Sequence, residues 1–174
     1  SPTNTSPIPI TITFSEPVTG FALGDITVGN GTAGSFSGTG ATYSASITPA
    51  GNGTVTVNIA SGAATDGGGN GNTAAPQFSI VYDTTGPSVA ITSSESSPTN
   101  TSPIPITITF SEPVTGFALG DITVGNGTAG SFSGTGATYS ASITPAGNGT
   151  VTVNIASGAA TDGGGNGNTA APQF

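Results

Sequence analysis

Carboxylates are nearly the only side chains in this 174-residue chain that could bind an ion or transfer a proton. There are eight Asp and Glu residues, and there is no Lys, Arg, His, Cys, Met or Trp. The stretch ATDGGGNGN occurs at Ala64–Asn72 and again at Ala160–Asn168, and each copy holds one Asp in a glycine-rich turn. Carboxylates without a cationic partner suit Ca²⁺, which takes about six to eight oxygen ligands. Calcium is therefore the cofactor that the sequence predicts.

The same composition argues against several other functions. A Ser or Thr nucleophile needs a base, and His and Lys are absent. A carboxylate pair could hydrolyse a glycoside, but sugar sites usually offer an aromatic face, and this chain has no Trp and only three Tyr. We therefore predict that it is not an enzyme. Nucleic acid and anionic lipid are bound through Lys and Arg, and no apolar run approaches the length of a membrane span. Zinc, copper and iron would lack their nitrogen and sulfur ligands.

The chain is a tandem repeat. Residues 1–78 recur without one change at 97–174, so the period is 96 residues. Solenoid repeats are about 20–50 residues long, whereas this period suits one independent domain per repeat. The predicted organisation is a first repeat over 1–82 that lacks its first strand, a linker over 83–87, and a second repeat over 88–174 with a truncated last strand.

The hydrophobic pattern predicts β-strands throughout. In TVTVNIA, Val151, Val153 and Ile155 alternate with polar residues, which is the period of a strand with one face inward and one in water. Gly, Pro and Asn separate such segments, and no helical stripe occurs. The strands predicted for the second repeat are 88–93, 105–110, 121–125, 130–134, 138–144, 150–156 and one that starts near Gln173. Their counterpart at the end of the first repeat is QFSIVY, 77–82. About seven short strands per repeat predict an all-β chain of tandem immunoglobulin-like β-sandwiches.

In that topology, four acids of the second repeat meet at one end. The linker before the first strand, the loop after the second, the start of the third and the loop after the sixth all lie at the end that faces the preceding repeat. The acids in these places, predicted to form a calcium site at the domain junction, are Asp83, Glu112, Asp121 and Asp162. Asn166 could add an amide oxygen. The first-repeat equivalents Glu16, Asp25 and Asp66 lack a linker acid and are expected to bind more weakly. A plainer interpretation stays open, in which each acid caps a turn or is solvated.

Several motifs, in their order and spacing, carry a family resemblance. They are SEPVTGFALGDITVGNGT, the strand with its glycine-rich loop TVTVNIASGAATDGGGNGN, and the junction YDTTGPSVAITS. The chain resembles the bacterial Ig-like tandem repeats of giant surface adhesins and extracellular fibre proteins, over essentially its whole length. The resemblance implies a secreted, cell-surface stalk of repeated domains, often stiffened by calcium between domains.

These observations predict a structural extracellular module, either a spacer of a surface adhesin or a building block of a filament. The expected partners are neighbouring identical repeats, and head-to-tail self-assembly by strand complementation is an alternative to a window from a longer array. The competing functional hypothesis is a module that binds a glycan or a surface through its loops or hydroxyl-rich faces.

Overall fold

A computed structural model describes residues 1–174 of the chain, which divides into two compact units, Ser1–Thr84 and Thr85–Phe174. Both units are built from β-strands and one short 3₁₀ helix each, without an α-helix. The all-β prediction is therefore confirmed. No helix of the chain has the length and apolar character needed to cross a membrane.

The first unit contains five strands, β1–β5. They are β1 Ile8–Val18, β2 Ile26–Gly29, β3 Gly31–Pro49, β4 Gly53–Ile59 and β5 Phe78–Tyr82. A 3₁₀ helix, Leu23–Asp25, precedes β2. The strand β1 pairs antiparallel with β3, and β2, β4 and β5 form a second sheet in which β4 is central.

The second unit contains six strands, β6–β11. They are β6 Val89–Ser93, β7 Ile104–Phe110, β8 Ile122–Gly125, β9 Gly127–Thr135, β10 Thr138–Pro145 and β11 Thr152–Ile155. A 3₁₀ helix, Leu119–Asp121, precedes β8. The order of the larger sheet is β6-β7-β10-β9, and β11 pairs with β8 in the smaller one. Main-chain hydrogen bonds between Phe174 and Val153 begin the pairing that β5 makes with β4 in the first unit.

Alternation within β7 shows why the second unit is a two-layer sandwich. Ile106, Ile108 and Phe110 are 2 % exposed or less, whereas Thr107 and Thr109 between them are exposed. The buried face of β7 belongs to one core with Val153 and Ile155 of the other sheet. Successive strand residues point to opposite faces of the sheet. The alternation of apolar and polar residues in β7 therefore places the apolar side chains in the core and the Thr side chains in solvent.

Aromatic side chains fill the part of the core near the loop after β7. Phe117 packs edge-on against Phe110, with ring centroids 5.1 Å apart, and against Tyr139, also at 5.1 Å. The Tyr139 hydroxyl donates a hydrogen bond to the main-chain carbonyl of Val114. This contact gives the one polar atom of the cluster a partner and ties the loop after β7 to the sheet.

Candidate metal centre

The glycine-rich loop of the second unit is organised around Asp162. Its Oδ1 accepts hydrogen bonds from the main-chain N–H groups of Gly164 (2.7 Å) and Asn166 (2.9 Å), and its Oδ2 accepts one from the Asn166 side-chain amide (3.0 Å). Gly165, with φ of 90°, occupies the left-handed conformation that closes the turn. The sequence DGGGN therefore folds into a turn whose inner side is lined by one carboxylate.

The first unit builds the same turn around Asp66. Gly68 and Asn70 donate to its Oδ1 at 2.8 Å each, and the Asn70 amide donates to its Oδ2 at 2.9 Å. The two turns differ in burial, because Asp162 is 5 % exposed and Asp66 is only half-buried.

These hydrogen bonds affect the acidity of both groups. At Asp162, burial alone would raise the pKa, but the hydrogen bonds donated by Asn166 and Gly164 outweigh it, so the pKa lies below its usual value. At Asp66, the hydrogen bonds from the Asn70 side chain and main chain lower the pKa. Both side chains are therefore anionic at neutral pH and present negative charge in their loops.

A second residue of this loop, Asn168, has a structural role that the sequence analysis did not assign. It is 2 % exposed, its Oδ1 accepts the Ala160 N–H (2.8 Å), and its amide donates to the carbonyls of Ala156 (3.0 Å) and Thr169 (2.7 Å). Asn168 thus joins both ends of the loop that carries Asp162. The only signal in the sequence is the spacing Asp-x₅-Asn, which occurs in both copies.

The loop after β7 brings Glu112 to the same end of the second unit. Thr115 and Thr161 exchange two main-chain hydrogen bonds, of 2.8 and 3.0 Å, which join this loop to the one that holds Asp162. On the other side of Glu112, the Ser111 N–H donates to the Ser88 carbonyl and the Ser88 N–H donates to the Ser111 hydroxyl. Glu112 is held between these two attachments.

Glu112 and Asp162 satisfy the spacing of two ligands to one calcium ion. Each offers a carboxylate oxygen, and these oxygens lie within 4.8 Å of one another. Calcium–oxygen distances are about 2.3–2.6 Å, so ligand oxygens on one ion are separated by at most about 5 Å. The donor set is all oxygen, as a hard cation requires. Every buried polar side-chain atom already has a hydrogen-bond partner, so the fit rests on donor chemistry and spacing.

Asp121 does not join Glu112 and Asp162, and the predicted cluster is corrected at this position. Its Oδ2 accepts the Ala118 N–H at 2.8 Å, which closes the 3₁₀ helix before β8. Asp25 makes the same bond with Ala22. For these two acids the structure matches the plainer interpretation, in which an Asp caps a turn.

Asp83 lies at the end of the first unit, two residues before the second begins. The Asn52 amide donates to its Oδ1 at 3.0 Å, and the Asp83 N–H donates to the Thr3 carbonyl at 2.9 Å. Asn52 also accepts hydrogen bonds from the N–H and hydroxyl of Thr84. Asn52 was not among the residues predicted from the sequence. Its hydrogen bonds to Asp83 and Thr84 hold the segment that carries Asp83 in place.

The remaining candidates occupy other positions. Asn166 supports the Asp162 carboxylate through its amide nitrogen. In the first unit, Glu16 is exposed within β1, and no group of three acids forms there.

Two successive parts of the chain, residues 2–82 and 83–173, match the family model described as bacterial Ig-like domain. The chain belongs to the bacterial Ig-like domain family. The family resemblance and the fold class predicted from the sequence are thereby confirmed. No curated protein and no solved structure matches the chain. The family indicates a structural or adhesion-associated repeat module, and Ig-like domains of this kind are generally non-enzymatic.

The Asp162 turn of the second Ig-like domain makes a pH-dependent contribution to stability. Because the folded-state pKa is lowered, the contribution is present above the usual Asp pKa and is lost as the pH falls through the lowered value. We expect Asp162→Asn to unfold at lower urea concentration than the parent near pH 7, and the difference in urea midpoint to shrink as the pH falls below the usual Asp pKa. A difference in urea midpoint that stays constant between neutral and acidic pH would contradict the prediction. Asp66→Asn provides the same comparison in the first domain.

Proposed function

We propose that the chain is a structural extracellular module, a spacer in a surface adhesin or a building block of an extracellular filament. The observation that carries the proposal is the unchanged recurrence of one Ig-like domain after 96 residues. Identical neighbouring domains add length without adding a new binding surface. The absence of His, Lys, Arg and Cys from the sequence supports the same conclusion, because it removes most catalytic side chains.

The second part of the proposal is that calcium binds to Glu112 and Asp162 and stiffens the link to the preceding domain. Two anionic oxygens within 4.8 Å of one another repel unless a cation joins them. The chain has no cationic side chain of its own. Asp83 is the nearest acid before the second unit in the sequence, and we propose it as the ligand from the linker.

Calcium titration of the chain tests this proposal. At about 100 times the dissociation constant, an ion that binds only the folded state stabilises it by about 2.7 kcal/mol. For a domain of this size that raises Tm by roughly 10 °C or more. We expect this rise in calcium relative to chelator, together with a larger radius of gyration in small-angle scattering.

Matched variants locate the ion. Asp162→Asn should abolish the calcium-dependent rise in Tm, whereas Asp66→Asn, which alters the same turn in the first domain, should leave it. If chelator changes neither Tm nor the radius of gyration of the parent, calcium stiffening is rejected. The spacer function is tested separately on a glycan array, where specific binding would favour the adhesive-module hypothesis instead.

A further inference from the structure

The linker leaves the first unit along an extension of its sheet. The pairing of β4 with β5 ends where Gly53 lies opposite Tyr82. Beyond this pair the Asn52 side chain continues the bonding. Its amide nitrogen donates to the Asp83 carboxylate at 3.0 Å, and its carbonyl oxygen accepts the N–H and the hydroxyl of Thr84 at 3.1 and 2.9 Å. A carboxamide offers a donor and an acceptor as a main-chain peptide group does, so Asn52 extends the ladder by two residues.

The chemistry of the partners makes this arrangement specific to an amide side chain. The Asp83 carboxylate can only accept a hydrogen bond, and the Thr84 N–H can only donate one. The residue at position 52 must therefore donate and accept at the same time. Alanine would do neither, and aspartate would place a second carboxylate beside Asp83.

The first unit holds the same segment from the other edge of β5. The Thr3 N–H donates to the Val81 carbonyl, and the Asp83 N–H donates to the Thr3 carbonyl, both at 2.9 Å. These bonds form a parallel bridge between Thr3 and Tyr82. Residues 82–84 are thus bonded on both sides, and the first unit ends at Thr84 as a consequence.

The linker is attached to the second unit almost at once. Pro87 is buried, and its carbonyl accepts the Thr169 N–H at 2.9 Å. Gly86 lies so close to the Gly167 carbonyl that a Cβ at position 86 would overlap its oxygen. One residue, Thr85, therefore separates the part of the linker that the first unit holds from the part that the second unit holds.

So short a separation limits how the linker can bend. Each residue contributes two soft main-chain dihedral angles, and hinges work by changing these angles at a few positions. With residues 82–84 bonded to one unit and 86–87 to the other, few such angles remain. Releasing residues 83 and 84 would add several, which gives the contacts of Asn52 an effect beyond the first unit.

We infer that Asn52 is a linker clamp, which restricts bending between successive repeats by binding Asp83 and Thr84, without a metal ion. The repeat carries the same residue as Asn148, so each domain of an array would hold the linker that follows it. The inference rests on the proposed spacer function and adds a source of stiffness to it. It is independent of the calcium proposal, because all the bonds of Asn52 to the linker lie within the first unit.

The test compares Asn52→Ala with Asn148→Ala in the whole chain and in chelator. Asn148 occupies the same turn of the second repeat, but residues 1–174 contain no linker for it to hold. The chain has no Cys, so Thr42→Cys and Thr138→Cys, exposed equivalents in the two units, can carry spin labels. Pulsed electron paramagnetic resonance then gives the distribution of distances between the labels, and amide exchange by NMR reports the Thr84 N–H.

Asn52→Ala should widen the distance distribution and speed exchange of the Thr84 N–H by roughly tenfold, whereas Asn148→Ala should do neither. Asn52→Asp, which keeps the side-chain size but cannot donate to Asp83, should also widen the distribution. An unchanged distribution in Asn52→Ala or in Asn52→Asp would overturn the inference, and so would equal widening in Asn52→Ala and Asn148→Ala. Because these results are obtained in chelator, they stand whether or not calcium later proves to bind, and the glycan array tests the spacer function separately.

Discussion

Asn168→Ala is expected to destabilise the second unit by about 3 kcal/mol or more. Asn168 is 2 % exposed, and its side chain makes three hydrogen bonds to main-chain groups of Ala160, Ala156 and Thr169. Alanine removes all three and leaves these groups without a side-chain partner. A buried donor or acceptor that loses its partner costs about 1–3 kcal/mol.

Asn72→Ala is the matched control for this prediction. Asn72 makes the same three hydrogen bonds, to Ala64, Ala60 and Thr73, but it is half-buried. Because Asn72 is partly exposed, water can hydrogen-bond to some of the main-chain groups that lose the side chain. We therefore expect the free energy of unfolding to fall by only about 1–2 kcal/mol.

Urea unfolding followed by far-UV circular dichroism checks both variants. The two units are similar in size and strand content, so a strongly destabilised unit separates as an earlier transition of about half the amplitude. We expect this separation for Asn168→Ala and a smaller shift for Asn72→Ala. Equal decreases in the free energy of unfolding for the two variants would show that burial of the asparagine does not determine how much its loss destabilises the unit.

The strands were predictable because alternation in this chain is nearly undisturbed. Ile106, Ile108 and Phe110 alternate with Thr, and the structure buries the former and exposes the latter. The turns between strands contain Gly, Pro or Asn, whose conformational preferences are local. The alternation of apolar and polar residues and the turn residues each span only a few positions of the sequence. The strand positions could therefore be predicted without knowledge of the tertiary structure.

The acidic site was predictable only in part, because it depends on where side chains turn within loops. Topology brought the loops of Glu112 and Asp162 to one end, as expected. Asp121 was predicted to join them, but its carboxylate turns back to the Ala118 N–H of its own 3₁₀ helix. A local hydrogen bond of this kind competes with a distant site, and the pattern of apolar residues does not report it.

Burial of the loop was not predictable from local sequence, because identical residues differ between the units. Asp162 and Asn168 are buried, whereas Asp66 and Asn72 are half-buried. In the second unit, the segment before β6 lies against the loop, with the Thr169 N–H donating to the Pro87 carbonyl at 2.9 Å. The environment of the loop is therefore set by the segment around Pro87, which is 75 positions from Asp162 and 81 positions from Asn168 in the sequence.

Gly86→Ala is expected to destabilise the second unit by about 1–3 kcal/mol, the usual cost of an overpacked site. A Cβ at position 86 would overlap the main-chain carbonyl oxygen of Gly167. Main-chain atoms cannot rotate away as a side chain can, so the segment before β6 must move off the loop. That movement would strain the Thr169–Pro87 hydrogen bond and admit water to Asn168 and Asp162.

Gly120→Ala is the control for Gly86→Ala, because a Cβ at Gly120 would meet no atom within 4 Å and its φ is not in the left-handed region. We expect it to change the free energy of unfolding by less than about 0.5 kcal/mol. Urea unfolding of the three proteins gives the comparison, and calcium titration extends it. If the proposed ion depends on Asp162 being held in place, Gly86→Ala should also weaken calcium binding, whereas Gly120→Ala should not. A Gly86→Ala protein as stable as the parent would show that the segment before β6 does not pack against the loop. The burial of Asp162 and Asn168 would then need another cause.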